Sequence, residues 1–89
     1  MAKTIEEIKA MGYSDAQTAC QESGSTETPD GGWDSWLING IGSDATCELF
    51  GENPDENQDG WSGSMSAKLQ AYHAGAIEAA KEIESEQAE

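Results

Sequence analysis

The stretch SMSAKLQAYHAGAIEAAKEIESE, residues 64–86, decides the fold. It has no proline, and its apolar side chains recur every three or four residues, which is the period of one helix face. Alanine dominates the second half of this stripe, so a neighbouring helix can approach it closely. We therefore predict one long C-terminal helix whose buried face is formed by Met65, Leu69, Tyr72, Ala76, Ala80 and Ile83.

Two helical patterns open the chain. Thr4 and Glu7 have the spacing of a capping box, which marks a helix start. Gly12 is placed to end that first helix, because glycine is favoured just after the last helical residue. Ser14 can then act as the N-cap of a second helix, which is expected to end at Gly24.

The middle of the chain predicts two more short helices: one that carries Trp33, Trp36, Leu37 and Ile41 and closes near Gly40 or Gly42, and one that starts at Ser43 and ends before Gly51. The polar, turn-rich stretches 23–32 and 51–60 are predicted loops. No segment alternates apolar and polar residues over the length of a strand. The predicted class is all-α: a compact bundle of short helices packed on the long C-terminal helix, forming one domain over residues 1–89.

The apolar content is low for a folded domain. Leu, Ile, Val and Phe together number 10 of 89 residues, a fraction typical of chains that fold weakly. We expect a small core that relies on alanine and the aromatic residues. Cys20 and Cys47 are predicted to be free, buried members of it, because they lack the spacing of a CxxC pair and no secretory leader is predicted at the start of the chain; a disulfide between them is the alternative.

Charge excludes several classes of function. The chain has 18 Asp and Glu against four Lys and no Arg, for a net charge of −14. A nucleic-acid binder needs a basic face, and so does a helix that binds an anionic membrane surface. No apolar run is long enough to span a bilayer. We expect a cytoplasmic protein that has no cofactor and contacts neither nucleic acid nor membrane directly.

The acidity is concentrated in residues 10–67, which contain 11 acidic residues and no Lys or Arg. Exposed acidic helices normally carry lysines that offset their repulsion, and here none is present. The segment therefore predicts a surface for a basic partner, centred on residues 30–36, where two tryptophans lie among acids. The predicted partner-contact residues are Asp30, Trp33, Asp34, Trp36, Asp44, Glu48, Glu52, Asp55, Glu56 and Asp59.

In size, charge and lack of arginine, the whole chain resembles the small acidic proteins of phages and mobile elements that act by DNA mimicry. These include many anti-CRISPR and antirestriction proteins. The resemblance rests on no motif. It implies a non-enzymatic inhibitor that occupies the basic nucleic-acid-binding surface of a host protein or complex.

A second resemblance is local and covers residues 40–67. The residues that carry it are Gly42-x-x-Ala45, Gly51, Asn53-Pro54 and Trp61-x-Gly63, a pattern similar to that of ribosome modulation factor-like helical proteins. It implies a small helical hairpin. Ribosome binding does not follow, because that family uses basic contacts to RNA and this segment has no basic residue.

Two alternative functions start from other features. The string Asp55-x-Asn57-x-Asp59-Gly60 matches the first half of an EF-hand calcium loop, although position 12 is Ser66 instead of the usual glutamate. Asp55, Asn57 and Asp59 are therefore candidate calcium ligands. The other alternative is an accessory or assembly protein whose acidity serves only solubility.

Catalysis and self-association complete the predictions. His73, the single histidine, lies on or beside the apolar stripe of the last helix and is expected to pack at the core boundary. No nucleophile, phosphate-binding or metalloprotease motif is present, so we expect no enzyme and no catalytic residue. The oligomeric state is open, and a dimer through the C-terminal helix is one possibility.

Overall fold

The structure is a computed structural model that describes residues 3–87. This part of the chain is helical and has no strand, which confirms the predicted class. Its helices are α1 (Ile5–Ser23), α2 (Trp33–Ile41), α3 (Ser43–Phe50), a short 3₁₀ helix (Pro54–Asn57) and α4 (Gly63–Gln87).

Helix α4 is the platform of the bundle, as predicted. The six residues of its apolar stripe are all buried, and α1 is the helix that packs most extensively against α4. Position 12 of α1 meets position 72 of α4, and position 9 meets position 75, so the two helices run antiparallel. The shorter α2 and α3 pack beside them, and the buried apolar residues form one cluster.

The predicted helix break at Gly12 is wrong. Helix α1 continues from Ile5 to Ser23, so Ser14 lies inside it and caps nothing. A Cβ atom added to Gly12 would lie only 2.0 Å from the Tyr72 carbonyl oxygen of α4. Glycine is required here because the backbone of a second helix passes where a side chain would be.

Gly75 of α4 makes the reciprocal contact. A Cβ atom there would lie 2.0 Å from the Lys9 carbonyl oxygen of α1. Gly12 thus faces the Tyr72 carbonyl, three residues before Gly75, and Gly75 faces the Lys9 carbonyl, three residues before Gly12. The two helix backbones meet here without intervening side chains. Small residues at a crossing allow this close packing, and Cα–H groups directed at carbonyls add a weak attraction.

The ends of the helices follow the local signals. The Thr4 hydroxyl accepts from the Glu7 backbone N–H at 3.1 Å, and the Glu7 carboxylate accepts from the Thr4 N–H at 3.1 Å, which confirms the capping box. These bonds lower the pKa of Glu7. Gly24 and Gly51 end α1 and α3 in left-handed conformations, with φ of 74° and 78°.

Tyr72 connects the crossing to the rest of the core. Its side chain is fully buried, and its hydroxyl donates to the Asp15 carboxylate of α1 at 2.7 Å. Its ring lies 6.0 Å from that of Phe50 in α3. Burial, and then the Asp15 carboxylate, raise the pKa of Tyr72 well above its usual value, so it remains a neutral donor.

Lys68 fastens α3 to α4. Its ammonium is buried, donates to the Phe50 carbonyl at 3.1 Å and pairs with the Glu52 carboxylate. The Ser64 hydroxyl donates to the other oxygen of Glu52 at 2.8 Å. A cation at the C-terminal end of α3 satisfies a carbonyl that has no partner within its own helix.

Cys20 and Cys47 are free and buried, as predicted. Burial raises the pKa of both thiols, which keeps them protonated and unreactive. The apolar stripe of α4 is covered within the single chain. A dimer formed through this helix would therefore have to use its outer, polar faces.

The glycine crossing gives the first prediction. Gly12→Ala and Gly75→Ala each insert a methyl group into a backbone, so each should lower the free energy of unfolding by roughly 1–3 kcal/mol or more. Urea unfolding followed by circular dichroism measures this. Gly40→Ala is the matched control in α2, where nothing lies within 4 Å, and it should leave stability unchanged or slightly higher. Equal effects at all three sites would contradict the close crossing.

The second prediction concerns pH. The Lys68 ammonium, followed by the Ser64 hydroxyl, holds the pKa of the Glu52 carboxyl below its usual range. A lowered folded-state pKa adds stability that is present above the unfolded-state value and is lost as pH falls through the folded one. Glu52→Gln should therefore be less stable than the parent at pH 7, and the difference should shrink below about pH 4. Paired thermal melts from pH 7 to pH 3 measure it, and a difference independent of pH would refute the pairing.

Candidate functional site

The acids of residues 10–67 lie on the surface. Eight of the 11 are exposed: Glu22, Glu27, Asp30, Asp44, Glu48, Asp55, Glu56 and Asp59. The other three, Asp15, Asp34 and Glu52, are half-buried. The segment therefore presents most of its negative charge to solvent.

Two predicted partner-contact residues have structural roles. Glu52 is paired with Lys68 and accepts from Ser64, so both oxygens of its carboxylate already have partners within the bundle. Trp33 is 3% exposed and belongs to the core. Sequence reasoning missed the first because Glu52 and Lys68 are far apart in the chain, and the second because both tryptophans of α2 suit either role.

The lysines offset little of the surface charge. The Lys68 ammonium is buried, and its charge is matched to Glu52. Lys9 forms an exposed ion pair with Glu78 of α4 at 3.5 Å. Two of the four lysines are thus matched to carboxylates within the bundle, and neither lies within the acidic segment.

A cleft of about 660 Å³ opens between the C-terminal end of α1, the following loop and the start of α2. Its apolar walls are Ala19, Pro29 and the two tryptophans of α2. Its polar lining includes three exposed carboxylates and no basic residue; the carboxylates are Glu22, Glu27 and Asp30. The cleft contains part of the patch predicted at residues 30–36.

The two tryptophans of α2 differ in exposure. Trp33 and Trp36 meet edge to face, with ring centroids 5.2 Å apart and planes at 73°. Trp33 is buried, whereas Trp36 is 38% exposed and presents part of its ring to solvent. The Trp33 Nε1–H is buried and has no hydrogen-bond partner within residues 3–87. The core residue therefore holds the surface residue in place.

His73 of α4 fixes the start of α2. Its Nδ1 accepts from the Trp33 backbone N–H at 3.0 Å. Gly31 and Gly32 turn the chain into the helix with φ of 82° and 97°, and a Cβ at Gly32 would lie 3.2 Å from the His73 ring. The predicted boundary position is confirmed, but its capping role was missed, because no local signal links residues 40 positions apart.

The candidate calcium loop is a turn held by side-chain hydrogen bonds. Asn57 is buried; its amide donates to the Asn53 carbonyl at 2.8 Å, and its oxygen accepts from the Ser62 N–H at 2.7 Å. Within residues 3–87, no group of three His, Cys, Asp or Glu side chains is placed to hold a metal ion. Asn57 thus holds the turn that leads into α4, and Asp55 accepts from the Gln58 side chain within the same loop.

No helix among residues 3–87 combines the length and apolar character needed to cross a bilayer. Comparison of the chain with protein families, curated protein sequences and solved structures found no match. Charge, exposure and the cleft are therefore the observations from which a function is argued.

The third prediction tests the cap of α2. His73→Ala removes the acceptor of the Trp33 N–H, so the first turn of α2 should fray and stability should fall by about 1 kcal/mol. Hydrogen exchange of the Trp33 amide should accelerate, while amides in the middle of α1 should keep their protection relative to global unfolding. Gln70→Ala, at an exposed position of the same helix, is the control. An unchanged Trp33 exchange rate would contradict the role of His73.

Proposed function

We propose that this chain is a non-enzymatic inhibitor that binds the basic nucleic-acid-binding surface of a host protein or complex. It acts as a DNA mimic of the anti-CRISPR or antirestriction type. Carboxylates of residues 10–67 supply the charge, and Trp36 supplies a fixed apolar contact. The protein works in the cytoplasm of a bacterial cell, as phage-encoded inhibitors of this kind do.

One observation carries the proposal: the segment exposes acids without exposing cations. Eight of its 11 acidic residues are exposed. The nearest lysine after the segment, Lys68, is turned inward to Glu52. A surface made only for solubility would gain stability from interspersed lysines, because they offset repulsion between like charges.

The charge density supports the same conclusion. Residues 3–87 contain 17 acids and four lysines, a net charge of −13, along a principal axis of 46 Å. This is an average of one net charge per about 3.5 Å, close to the spacing of about 3.4 Å per phosphate along one strand of B-DNA. A groove built for one nucleic-acid strand would therefore meet a similar density of negative charge here.

The fourth prediction tests the proposal by capture. A tagged chain is mixed with bacterial lysate at low and at raised salt, and retained proteins are identified by mass spectrometry. We expect retention of a nucleic-acid-handling protein, loss of that retention at raised salt, and elution by duplex DNA that competes for the same surface. Its affinity for the chain is then measured with the purified proteins.

Two charge variants sharpen the test. Glu48→Gln, Glu56→Gln and Asp59→Asn together remove three exposed charges from the acidic segment. Glu6→Gln, Glu84→Gln and Glu86→Gln remove three exposed charges outside it. The first variant should weaken binding by roughly tenfold, about 1.4 kcal/mol, and the second by much less. Equal affinities for both variants and the parent would favour the accessory protein whose acidity serves solubility.

A further inference from the structure

We infer that the cleft between α1, the loop after it and α2 seats an arginine side chain of the basic partner. This inference rests on the proposed function and names the chemical group that the site receives. The guanidinium would stack on Trp36 and pair with the carboxylates of Glu22, Glu27 and Asp30.

The electrostatics of the cleft select a cation. Three exposed carboxylates line it, and no Lys or Arg among the lining residues competes for them. Because the cleft is a concave space of about 660 Å³, it falls within the usual range of ligand sites and can hold a side chain together with its backbone. A nucleic-acid strand would be repelled, and among residues 3–87 no group of three His, Cys, Asp or Glu side chains is placed to hold a metal ion.

The aromatic wall distinguishes arginine from lysine. The Trp36 ring is 38% exposed and is held edge to face by the buried Trp33 ring. Little conformational entropy is therefore lost when a ligand binds against it. A guanidinium is planar, is weakly hydrated and stacks on indole, while its fork of N–H groups matches carboxylates; a lysine ammonium stays more strongly hydrated.

The Trp33 indole carries an unpaired hydrogen-bond donor beside the cleft. Trp33 lines the cleft and is only 3% exposed, yet its Nε1–H has no acceptor within residues 3–87. An unsatisfied buried donor is destabilising, and a partner that brings an acceptor removes the penalty. The backbone carbonyl beside an arginine is such an acceptor, so side chain and backbone of one segment satisfy different parts of the cleft.

The fifth prediction uses three blocked tripeptides as probes: acetyl-Gly-Arg-Gly-amide and its lysine and citrulline counterparts. Each is titrated into the full chain, labelled with ¹⁵N, at low salt. The arginine peptide should shift amides of residues 19–36 and the indole N–H signals of Trp33 and Trp36, and it should bind more tightly than the lysine peptide. The citrulline peptide, which lacks the charge, should bind weakest.

Variants assign the contacts. Trp36→Leu should weaken arginine binding by about twofold to thirtyfold and remove the preference over lysine, because stacking is lost. Glu22→Gln, Glu27→Gln and Asp30→Asn together should weaken both cationic peptides alike. The triple variant at Glu48, Glu56 and Asp59 removes the same charge outside the cleft and should retain the arginine preference. Melting curves check that each variant is folded.

Several outcomes would overturn the inference: shifts outside the cleft, citrulline binding as tightly as arginine, or an arginine preference that survives Trp36→Leu. Partner capture that persists in the cleft triple variant but fails in the triple variant at residues 48, 56 and 59 would also overturn it, while the proposed function would stand. Salt-insensitive capture, or none, would instead overturn the proposed function, even where the arginine peptide binds.

Discussion

The crossing of α1 and α4 is the contact on which the rest of the structure depends. This chain has few large apolar residues, so it cannot build a thick core of interlocking side chains. It gains packing by bringing two helix backbones together at Gly12 and Gly75. Main-chain atoms in close approach supply part of the dispersion attraction that larger side chains provide in other cores. Tyr72, buried beside this crossing, then reaches both Asp15 and Phe50.

The same crossing explains where sequence reasoning succeeded and where it failed. The stripe of α4, the capping box at Thr4 and the glycines that end α1 and α3 are local signals, and each was predictable. Gly12 was misread because a glycine that ends a helix and one that admits a neighbouring helix have the same local sequence. Only the backbone of α4, 60 residues away in the chain, separates the two meanings.

The candidate site was predictable in its charge and only partly in its contacts. Exposure of the acids followed from the lack of nearby lysines. The different fates of Trp33 and Trp36 did not, because their spacing of three places both near one helix face. The roles of His73 and Lys68 depend on partners in other helices. Neither role could be predicted from the sequence, because His73 accepts from a backbone N–H of α2, and Lys68 donates to a backbone carbonyl of α3 as well as to Glu52.

The α1–α4 pair and the helices α2 and α3 are held in the bundle by different sets of contacts. The α1–α4 pair is joined along its length by apolar and backbone contacts, with the Tyr72–Asp15 hydrogen bond and the Lys9–Glu78 ion pair added to them. The acidic helices α2 and α3 are joined to α4 partly through single side chains, His73 at one end and Lys68 at the other. Repulsion between like charges works against α2 and α3 more than against the α1–α4 pair, because their acids have no cations among them. A basic partner would remove that repulsion and would bind only the folded arrangement, so binding and folding of α2 and α3 are thermodynamically linked. Under the proposed function, the repulsion that opposes folding of α2 and α3 would therefore also supply favourable free energy for binding a basic partner.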